Sequence, residues 1–406
     1  HQEAALQVDA DDAVPSLLGR IYGVRYESGG WMPALLNRMS TPPKRRQTTS
    51  IASRIDDRFD LVAGALSSTP EKSAASAEAL GIPRSYGSFE EMAEAEAARD
   101  DGIEAVSIVT PNHVHAAAAQ AFLAKGIHVI CDKPLTSTLE DAEALAASVA
   151  EAEALFILTH NYTGYPMIRQ ARAMVAAGDL GDIRIVQAEY PQDWLTAPME
   201  NEGVKQAEWR TDPARSGAGG SVGDIGTHAH NLACFVSGLQ VESLAADLQS
   251  WGKGRKLDDN AHMMLRFAGG ARGMLWSSQV APGNENALKL RVYGEKGGLE
   301  GSQEDPNYLW FTPLGEPKRL ITRNGAGTSE ASQSVSRIPG GHPEGYLEGF
   351  ATIYNEAADA IRAVQGGATR ESAMGVLPGI TAGMAGMRFI NACVTSSAND
   401  AAWTKL

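Results

Sequence analysis

The sequence predicts an α/β domain with a Rossmann-like, doubly wound parallel sheet, followed by an α+β domain with a largely antiparallel open sheet. Two patterns carry this prediction. From Phe59 onward, short apolar runs alternate with helical stretches, which is typical of parallel strands covered on both faces. After about Gly181, apolar and polar residues alternate between glycine-rich turns, which indicates an antiparallel sheet with one solvated face.

The predicted parallel strands are runs of four to seven mostly apolar residues. They lie at 59–65, 105–109, 128–131 and 155–158. Helices are predicted to begin at Pro70, His113 and Thr138, since Pro suits a first helical turn and Thr is a good N-cap. Gly81 and Gly126 are predicted to end two helices.

The second half of the chain predicts strands at 183–190, 261–267, 273–280 and 288–293. Two helices are predicted near 343–364 and 371–392. With 406 residues, the chain is long enough for two or three domains. We therefore predict an uncertain N-terminal extension at 1–38, a Rossmann-like domain at 39–162 and an α+β domain at 163–406.

Composition excludes several classes of protein. The chain is 43% hydrophobic, which argues against disorder, and its net charge of −14 makes nucleic acid an unfavourable partner. Its three cysteines are far apart, so no disulfide framework or zinc finger is expected. Neither an apolar run long enough to span a membrane nor a signal-peptide pattern is visible, so we expect a cytoplasmic protein without a membrane partner.

Polar motifs follow two neighbouring predicted strands. Thr-Pro-Asn-His-Val-His occupies 110–115, and Cys-Asp-Lys-Pro-Leu occupies 131–135. Ligands of doubly wound sheets bind beyond the carboxyl ends of the strands, where both motifs lie. Lys133 is positioned to direct its ammonium at a substrate hydroxyl and stabilise the alkoxide. The alternative is a pair of ordinary surface turns with a solvated lysine.

A third motif lies on a predicted helix start. Asp224, His228 and Asn231 are spaced i, i+4 and i+7, which places them on one helix face. An imidazole with a carboxylate one turn away predicts a proton acceptor near neutral pH, made more basic by that carboxylate. The alternative is a capping aspartate and a buried, hydrogen-bonded histidine.

Together these motifs resemble the glucose–fructose oxidoreductase / inositol dehydrogenase / MocA (Gfo/Idh/MocA) family. The matching segments are Thr-Pro-Asn-His-x-His at 110–115, Cys-Asp-Lys-Pro-Leu at 131–135, Trp-Arg-Thr-Asp-Pro at 209–213 and Gly-Gly-x-x-x-Asp-Ile-Gly-x-His at 219–228. The resemblance implies a Rossmann domain joined to an antiparallel-sheet domain. It also implies hydride transfer between NAD(P) and a sugar or polyol carbon, in a homodimer or homotetramer.

The resemblance also implies residue roles. Lys133 would lie near both the nicotinamide ribose and the reacting hydroxyl, with Asp132 replacing the family's glutamate. Asp224 would position the substrate and tune the base, and His228 would be the acid–base residue. Asn231 falls where many members carry an aspartate.

Further contacts complete the predicted site. For the cofactor we predict Ser67, Ser68, Thr110, Pro111, Asn112, His115, Asp132, Lys133 and Asn161. For the substrate we predict Tyr162, Trp194, Arg210, Asp212 and Asn231. No metal is expected, because Asp224, His228 and His230 do not form an established ligand spacing; metal-assisted hydrolysis or lyase chemistry at this helix is a third alternative, which chelators would abolish.

The cofactor is NAD or NADP, with a slight preference for NADP. No carboxylate follows the strand at 59–65, where an acidic residue would hold the ribose diol of NAD. Ser67 and Ser68 can instead hydrogen-bond a 2′-phosphate, or they can simply cap the following helix.

The N-terminal segment departs from the family pattern. No glycine-rich turn and no apolar strand directly precede the helix expected near residues 48–57. Three explanations remain open: a segment missing between Arg46 and Ile51, a first strand supplied by residues 21–30, or loss of cofactor binding. The last would make the protein a cofactor-deficient carbohydrate-binding or sensing homologue without turnover.

Overall fold

A parallel and a mixed β-sheet organise residues 19–25, 51–67 and 69–406, which the computed structural model describes; for 19–25 only the backbone is described. In this part of the chain the parallel sheet has six strands in the order β3-β2-β1-β4-β5-β6. Its strands are β1 (Gly19–Arg25), β2 (Phe59–Ala65), β3 (Arg84–Ser85), β4 (Ala105–Val109), β5 (His128–Cys131) and β6 (Phe156–Leu158). This is the doubly wound arrangement that the sequence predicts.

Strand β1 lies at the centre of this sheet. It pairs in parallel with β2 on one side and with β4 on the other. The placement differs from the assignment of residues 1–38 to an extension, and it agrees with the explanation in which residues 21–30 supply the first strand. The strand reads Gly-Arg-Ile-Tyr-Gly-Val-Arg, so its arginines and inner glycine hide the usual apolar pattern. The glycine-rich turn considered after it lies outside the described residues.

Helices connect and cover the parallel strands. They are α1 (Pro70–Leu80), α2 (Phe89–Ala97), α3 (His115–Leu123) and α4 (Leu139–Glu151). Gly81 ends α1 with φ +69°, a left-handed conformation that glycine adopts without strain. Thr138 caps α4 as predicted, its hydroxyl accepting from Asp141 N at 3.1 Å. Helix α3 begins two residues later than predicted, because residues 112–114 form a 3₁₀ turn.

The second sheet is largely antiparallel, as the alternating pattern predicts. Its order among the described residues is β14-β13-β12-β11-β7-β10-β9-β8-β15, and β7 and β10 form its parallel pair. The strands are β7 (Ile183–Pro191), β8 (Val241–Gln249), β9 (Asn260–Phe267), β10 (Arg272–Ser278), β11 (Lys289–Gly294), β12 (Gly297–Ser302), β13 (Tyr308–Pro313), β14 (Arg319–Thr322) and β15 (Thr404–Lys405).

Helices follow and connect the strands of this sheet, and one of them also packs against the first domain. They are α5 (Pro166–Ala176), α6 (Lys205–Arg210), α7 (Pro213–Ser216), α8 (Thr227–Ser237), α9 (Glu330–Gln333), α10 (Tyr346–Gln365), α11 (Arg370–Met374) and α12 (Ile380–Ala398). Phe350 and Ile353 of α10 share a buried cluster with Phe59 and Ile130 of the parallel sheet. The parallel sheet ends at Leu158 and the second sheet begins at Ile183, while α10 packs back against the parallel sheet.

The described helices include none that is both long enough and apolar enough to cross a lipid bilayer.

Candidate active site

The loop after β5 carries Lys133 toward the second domain. The Asp132 carboxylate accepts from Lys133 N at 3.0 Å and from Thr159 Oγ1 at 2.8 Å, so it ties this loop to the end of β6. The predicted cofactor residue Asp132 thus holds the loop in place. Lys133 itself is only 11% exposed, so its ammonium points into the protein.

Asp224, in the second half of the chain, forms an ion pair with Lys133 of the first domain. The Lys133 ammonium lies 3.1 Å from Asp224 Oδ1 and also donates to the Asp224 carbonyl. Arg210 Nε donates to Asp224 Oδ2 at 3.1 Å, and Gln279 Nε2 donates to the same oxygen at 2.9 Å. Lys133, Arg210 and Asp224, predicted from separate motifs, therefore meet. Gln279, which follows β10, was not foreseen.

The Asp224 carboxyl group remains ionised at neutral pH. Burial raises its pKa, but the charges of Arg210 and Lys133 and the hydrogen bonds from Lys133 and Gln279 outweigh burial and lower the pKa to about 2. Two cations and an amide thus compensate the one buried carboxylate.

The chain around Asp224 is not a simple helix start. Residues Val222–Gly226 form a π-helical turn before α8 begins at Thr227. This wider turn alters the angular spacing that the i, i+4 pattern assumes, and such turns are frequent at functional sites. The Asp258 carboxylate accepts from Gly220 N, Ser221 Oγ and Val222 N at 2.6, 2.8 and 2.8 Å, which fixes the start of the turn.

His228 is buried among other rings. Its ring centroid lies 4.8 Å from Tyr162, 5.9 Å from His160 and 6.1 Å from Tyr190. Burial, followed by the charge of Lys133 and the neighbouring His160, holds the pKa of His228 well below its usual value. The expectation that Asp224 makes His228 more basic is therefore wrong, since the Asp224 carboxylate forms ion pairs with Lys133 and Arg210 instead. His228 is neutral at pH 7 and can accept a proton.

A hydrogen-bonded network extends from Tyr162 along the inner end of the second sheet. The hydroxyls of Tyr162 and Tyr190 are 2.5 Å apart, and Tyr190 donates to Asn286 Oδ1 at 2.7 Å. Gln192 Nε2 donates to the same oxygen at 2.7 Å and its own Oε1 accepts from Trp194 Nε1 at 3.1 Å. The predicted substrate residues Tyr162 and Trp194 thus belong to one polar network. Sequence reasoning did not find Tyr190 or Asn286.

Other predicted substrate residues lie less centrally. The Asp212 carboxylate caps α7 by accepting from Ala214 N at 3.0 Å. The structure shows no contact between this carboxylate and Lys133, Asp224 or His228. Asn231 is half-buried on α8, three residues after His228.

Two residues predicted for the cofactor, Ser67 and Ser68, follow β2. Ser67 Oγ accepts a hydrogen bond from Thr69 N at 3.3 Å within the turn, and Ser68 lies outside the described residues.

The carboxyl ends of β4 and β6 present unpaired polar atoms. Thr110 Oγ1 and Asn161 Nδ2 are buried without a hydrogen-bond partner in the described part of the chain. Buried polar atoms are nearly always paired, so these atoms fit a ligand that reaches the strand ends. A dinucleotide binds a Rossmann sheet at this edge. The residues present therefore fit that cofactor.

The other predicted cofactor residues of this region hold its loops together. The ring nitrogens of His115 lie 2.8 Å from Pro134 O and 2.9 Å from Thr110 O, which joins the loops after β4 and β5. Asn112 Nδ2 donates to Ser216 O at 2.8 Å and so joins the first loop to the second domain. Pro111, which lies between Thr110 and Asn112 in the sequence, is also buried.

The described residues contain no group of three His, Cys, Asp or Glu side chains that could hold a metal ion. His230, the extra histidine of α8, stacks on Phe389 with ring centroids 4.4 Å apart.

Replacing Asp224 by Asn is expected to lower the free energy of unfolding by about 3 kcal/mol at pH 7, because two buried cations lose their counter-ion. The pKa of Asp224 falls from 3.8 to about 2 on folding, so this carboxylate's stabilisation is fully present above pH 3.8 and is lost as the pH falls through 2. Urea unfolding of both proteins at several pH values measures this. The difference should narrow in acid. Asp212→Asn, which removes a carboxylate charge but keeps an oxygen that can cap α7, serves as the control. A deficit for Asp224→Asn that is unchanged toward pH 2 would contradict the assignment.

Comparisons with known proteins agree with this architecture. Residues 45–160 match the model of the oxidoreductase family with an NAD-binding Rossmann fold, and residues 168–300 match the GFO/IDH/MocA C-terminal domain. An uncharacterized oxidoreductase of Bacillus subtilis (strain 168) is 33% identical over 87% of this chain and 91% of its own.

Two solved structures are also similar. An oxidoreductase from Sinorhizobium meliloti has 57% identity and a TM-score of 0.81, covering 95% of this chain and 99% of its own. An inositol dehydrogenase homologue from Azotobacter vinelandii, complexed with NADH and myo-inositol, has 33% identity and a TM-score of 0.85, covering 96% and 99%. Fold and site together define a two-domain, NAD-binding oxidoreductase. The chain belongs to the GFO/IDH/MocA family.

Proposed function

We propose that this protein transfers a hydride between NAD(P) and a hydroxyl-bearing carbon of a sugar, polyol or derivative. The observation that carries the proposal is the meeting of Lys133 from the first domain with Asp224 from the second, beside the buried imidazole of His228. A cation and a neutral base at one site are what oxidation of an alcohol requires.

Each side chain has a distinct role in this proposal. Lys133 binds the substrate hydroxyl and stabilises the negative charge that develops on its oxygen. His228 accepts the hydroxyl proton, and in the reverse direction it returns the proton to the carbonyl oxygen. Asp224 holds Lys133 in place and carries the countercharge for the whole site. A bound nicotinamide ring supplies the acceptor or donor of the hydride.

In this proposal, residues at the carboxyl edge of the parallel sheet would hold the cofactor. Thr110 and Asn161 offer it their unpaired buried groups. The family is NAD-binding, and the relative from Azotobacter vinelandii was solved with NADH. The absence of a carboxylate in the sequence directly after β2 supports use of NADP as well.

Sugars and polyols are the substrates that the second domain supports best. Gln192, Asn286 and Trp194 lie in one network with Tyr162, and amide and indole groups of this kind bind hydroxyl-rich rings. The structure of the relative with myo-inositol supports the same class. A cofactor-deficient sensor is not favoured, since it would have no use for Lys133, Asp224 and His228 held together.

Fluorescence titration with NADH and NADPH, followed by assays of NAD(P) reduction with a panel of inositols and aldoses, tests the proposal. We expect binding of at least one nucleotide and oxidation of at least one polyol. Polyol binding without nucleotide binding would support the sensor instead.

We also propose a homodimer or homotetramer assembled through the open face of the second sheet. Met264 and Met274, directly paired on β9 and β10, are 54% and 58% exposed there, and Ile185 on β7 is 44% exposed. Exposed apolar side chains grouped on a sheet face favour association.

Met274→Glu is expected to shift the protein toward the monomer, because it places a charge in the centre of that face. Light scattering after size-exclusion chromatography measures the mass. Val376→Glu, at an exposed position outside the sheet, is the control. A wild-type protein that is already monomeric would contradict the assembly.

A further inference from the structure

His160 is a second buried imidazole at the site, and none of the roles above uses it. It follows β6 and is 2% exposed. Its backbone is fixed, since its carbonyl accepts from Thr163 N at 2.9 Å and from Thr163 Oγ1 at 2.8 Å. The ring packs against His228 of α8, at the point where the first domain meets that helix.

The His160 ring faces the reacting groups. Its centroid lies 5.9 Å from that of His228, with the two ring planes at 82°. Burial, then the charge of Lys133 and the nearby His230, lower the pKa of His160 to about 3, so this ring is neutral at pH 7. A hydroxyl group can both donate to and accept from a neutral imidazole, whichever nitrogen carries the proton.

One nitrogen of this ring has no partner. His160 Nδ1 is buried and makes no hydrogen bond within the part of the chain that the structure describes. Leaving a buried polar atom unpaired is costly, so such atoms in native proteins generally meet a ligand or water. Its neighbours His228 and Lys133 are the groups assigned to the reacting hydroxyl, which places the expected ligand group on the substrate.

We propose that His160 Nδ1 binds the substrate hydroxyl on the carbon next to the one that is oxidised. His228 and His160 then bind neighbouring hydroxyls of one ring, and the site selects vicinal diols. This inference rests on the proposed function and narrows its substrate class. It makes His160 a substrate-binding residue that determines specificity.

The test compares His160→Phe, which keeps a ring without hydrogen-bonding atoms, with His160→Asn, whose amide can replace Nδ1. Each is assayed with the polyol of the panel that wild type oxidises fastest and with its analogue lacking the adjacent hydroxyl. His160→Phe should lower kcat/KM for the full polyol about tenfold and leave the deoxy analogue nearly unchanged. His160→Asn should restore most of the difference. His342→Phe, at an exposed position, is the control.

The other outcomes contradict the proposal in distinguishable ways. Equal losses on both substrates would mean that His160 only supports packing, and no loss on either would mean that it does not contact substrate. Weaker NADH binding by His160→Phe, followed by fluorescence, would place Nδ1 against the cofactor. A wild-type protein that binds NADH but oxidises no polyol would refute the proposed function, and the assignment of His160 with it.

Discussion

Replacing Lys133 by Met is expected to lower kcat for polyol oxidation by about 10²- to 10³-fold, with a much smaller loss of NAD(P)H affinity, because Lys133 is only one of the predicted cofactor contacts. Lys133 is the cation that Asp224 holds at the site, and its loss removes the charge that stabilises a developing alkoxide. Methionine keeps much of the length of the side chain, so packing changes little. Steady-state kinetics and fluorescence titration together measure both quantities.

Two comparisons make the Lys133 result specific. Lys125→Met removes a lysine that pairs with Glu94 on the surface, and it should leave kcat unchanged. Lys133→Arg keeps the charge but cannot place it as a single compact donor, so it should recover only part of the activity. Full activity in Lys133→Met would show that this ammonium does not act on the substrate.

Replacing His228 by Asn should lower kcat by about 10²- to 10⁴-fold, the range typical of a lost general base. Burial and the Lys133 charge hold the pKa of His228 well below its usual value. Protonation of His228 should therefore not reduce the activity of the wild-type enzyme between pH 6 and 8. Activity should fall only in more acidic solution, where the imidazole becomes protonated. Profiles of kcat/KM against pH measure this.

His230→Asn is the matched control for His228, since the two histidines lie on the same helix. His230 stacks on Phe389, so its replacement should lower the thermal midpoint and leave kcat close to the wild-type value. A His228→Asn protein that keeps wild-type kcat and loses only stability would make His228 a packing residue.

The residues proposed to react could be selected from the sequence because motifs mark them. Asp224 and His228 share a short segment, so local spacing alone places these two near each other, whereas Lys133 follows a strand end and reaches Asp224 through a contact between residues 91 positions apart. Gln279, Asn286 and His160 could not be found in this way. Gln279 and Asn286 lie between β10 and β11, and His160 follows β6, so only the sheet order and the contact between the domains bring them near the site.

The fold shows the same division between local and long-range information. Strands β4 and β5 are nearly uniform apolar runs and are predicted at their observed bounds. Strand β1 could not be predicted at its observed bounds, because two arginines and an inner glycine interrupt its apolar pattern. Pairing with a strand on each side stabilises it all the same. The π-helical turn before α8 also has no sequence signal that we recognise, and Asp258, which caps it, lies 36 residues away from Val222.

A crystal structure of the protein with NADH and an oxidisable polyol tests the central claim most directly. We predict one substrate oxygen within about 3 Å of both the Lys133 ammonium and the His228 imidazole, on the carbon that faces the nicotinamide ring. A polyol bound with that oxygen away from either side chain, or a nicotinamide bound outside the cleft between the two sheets, would contradict it.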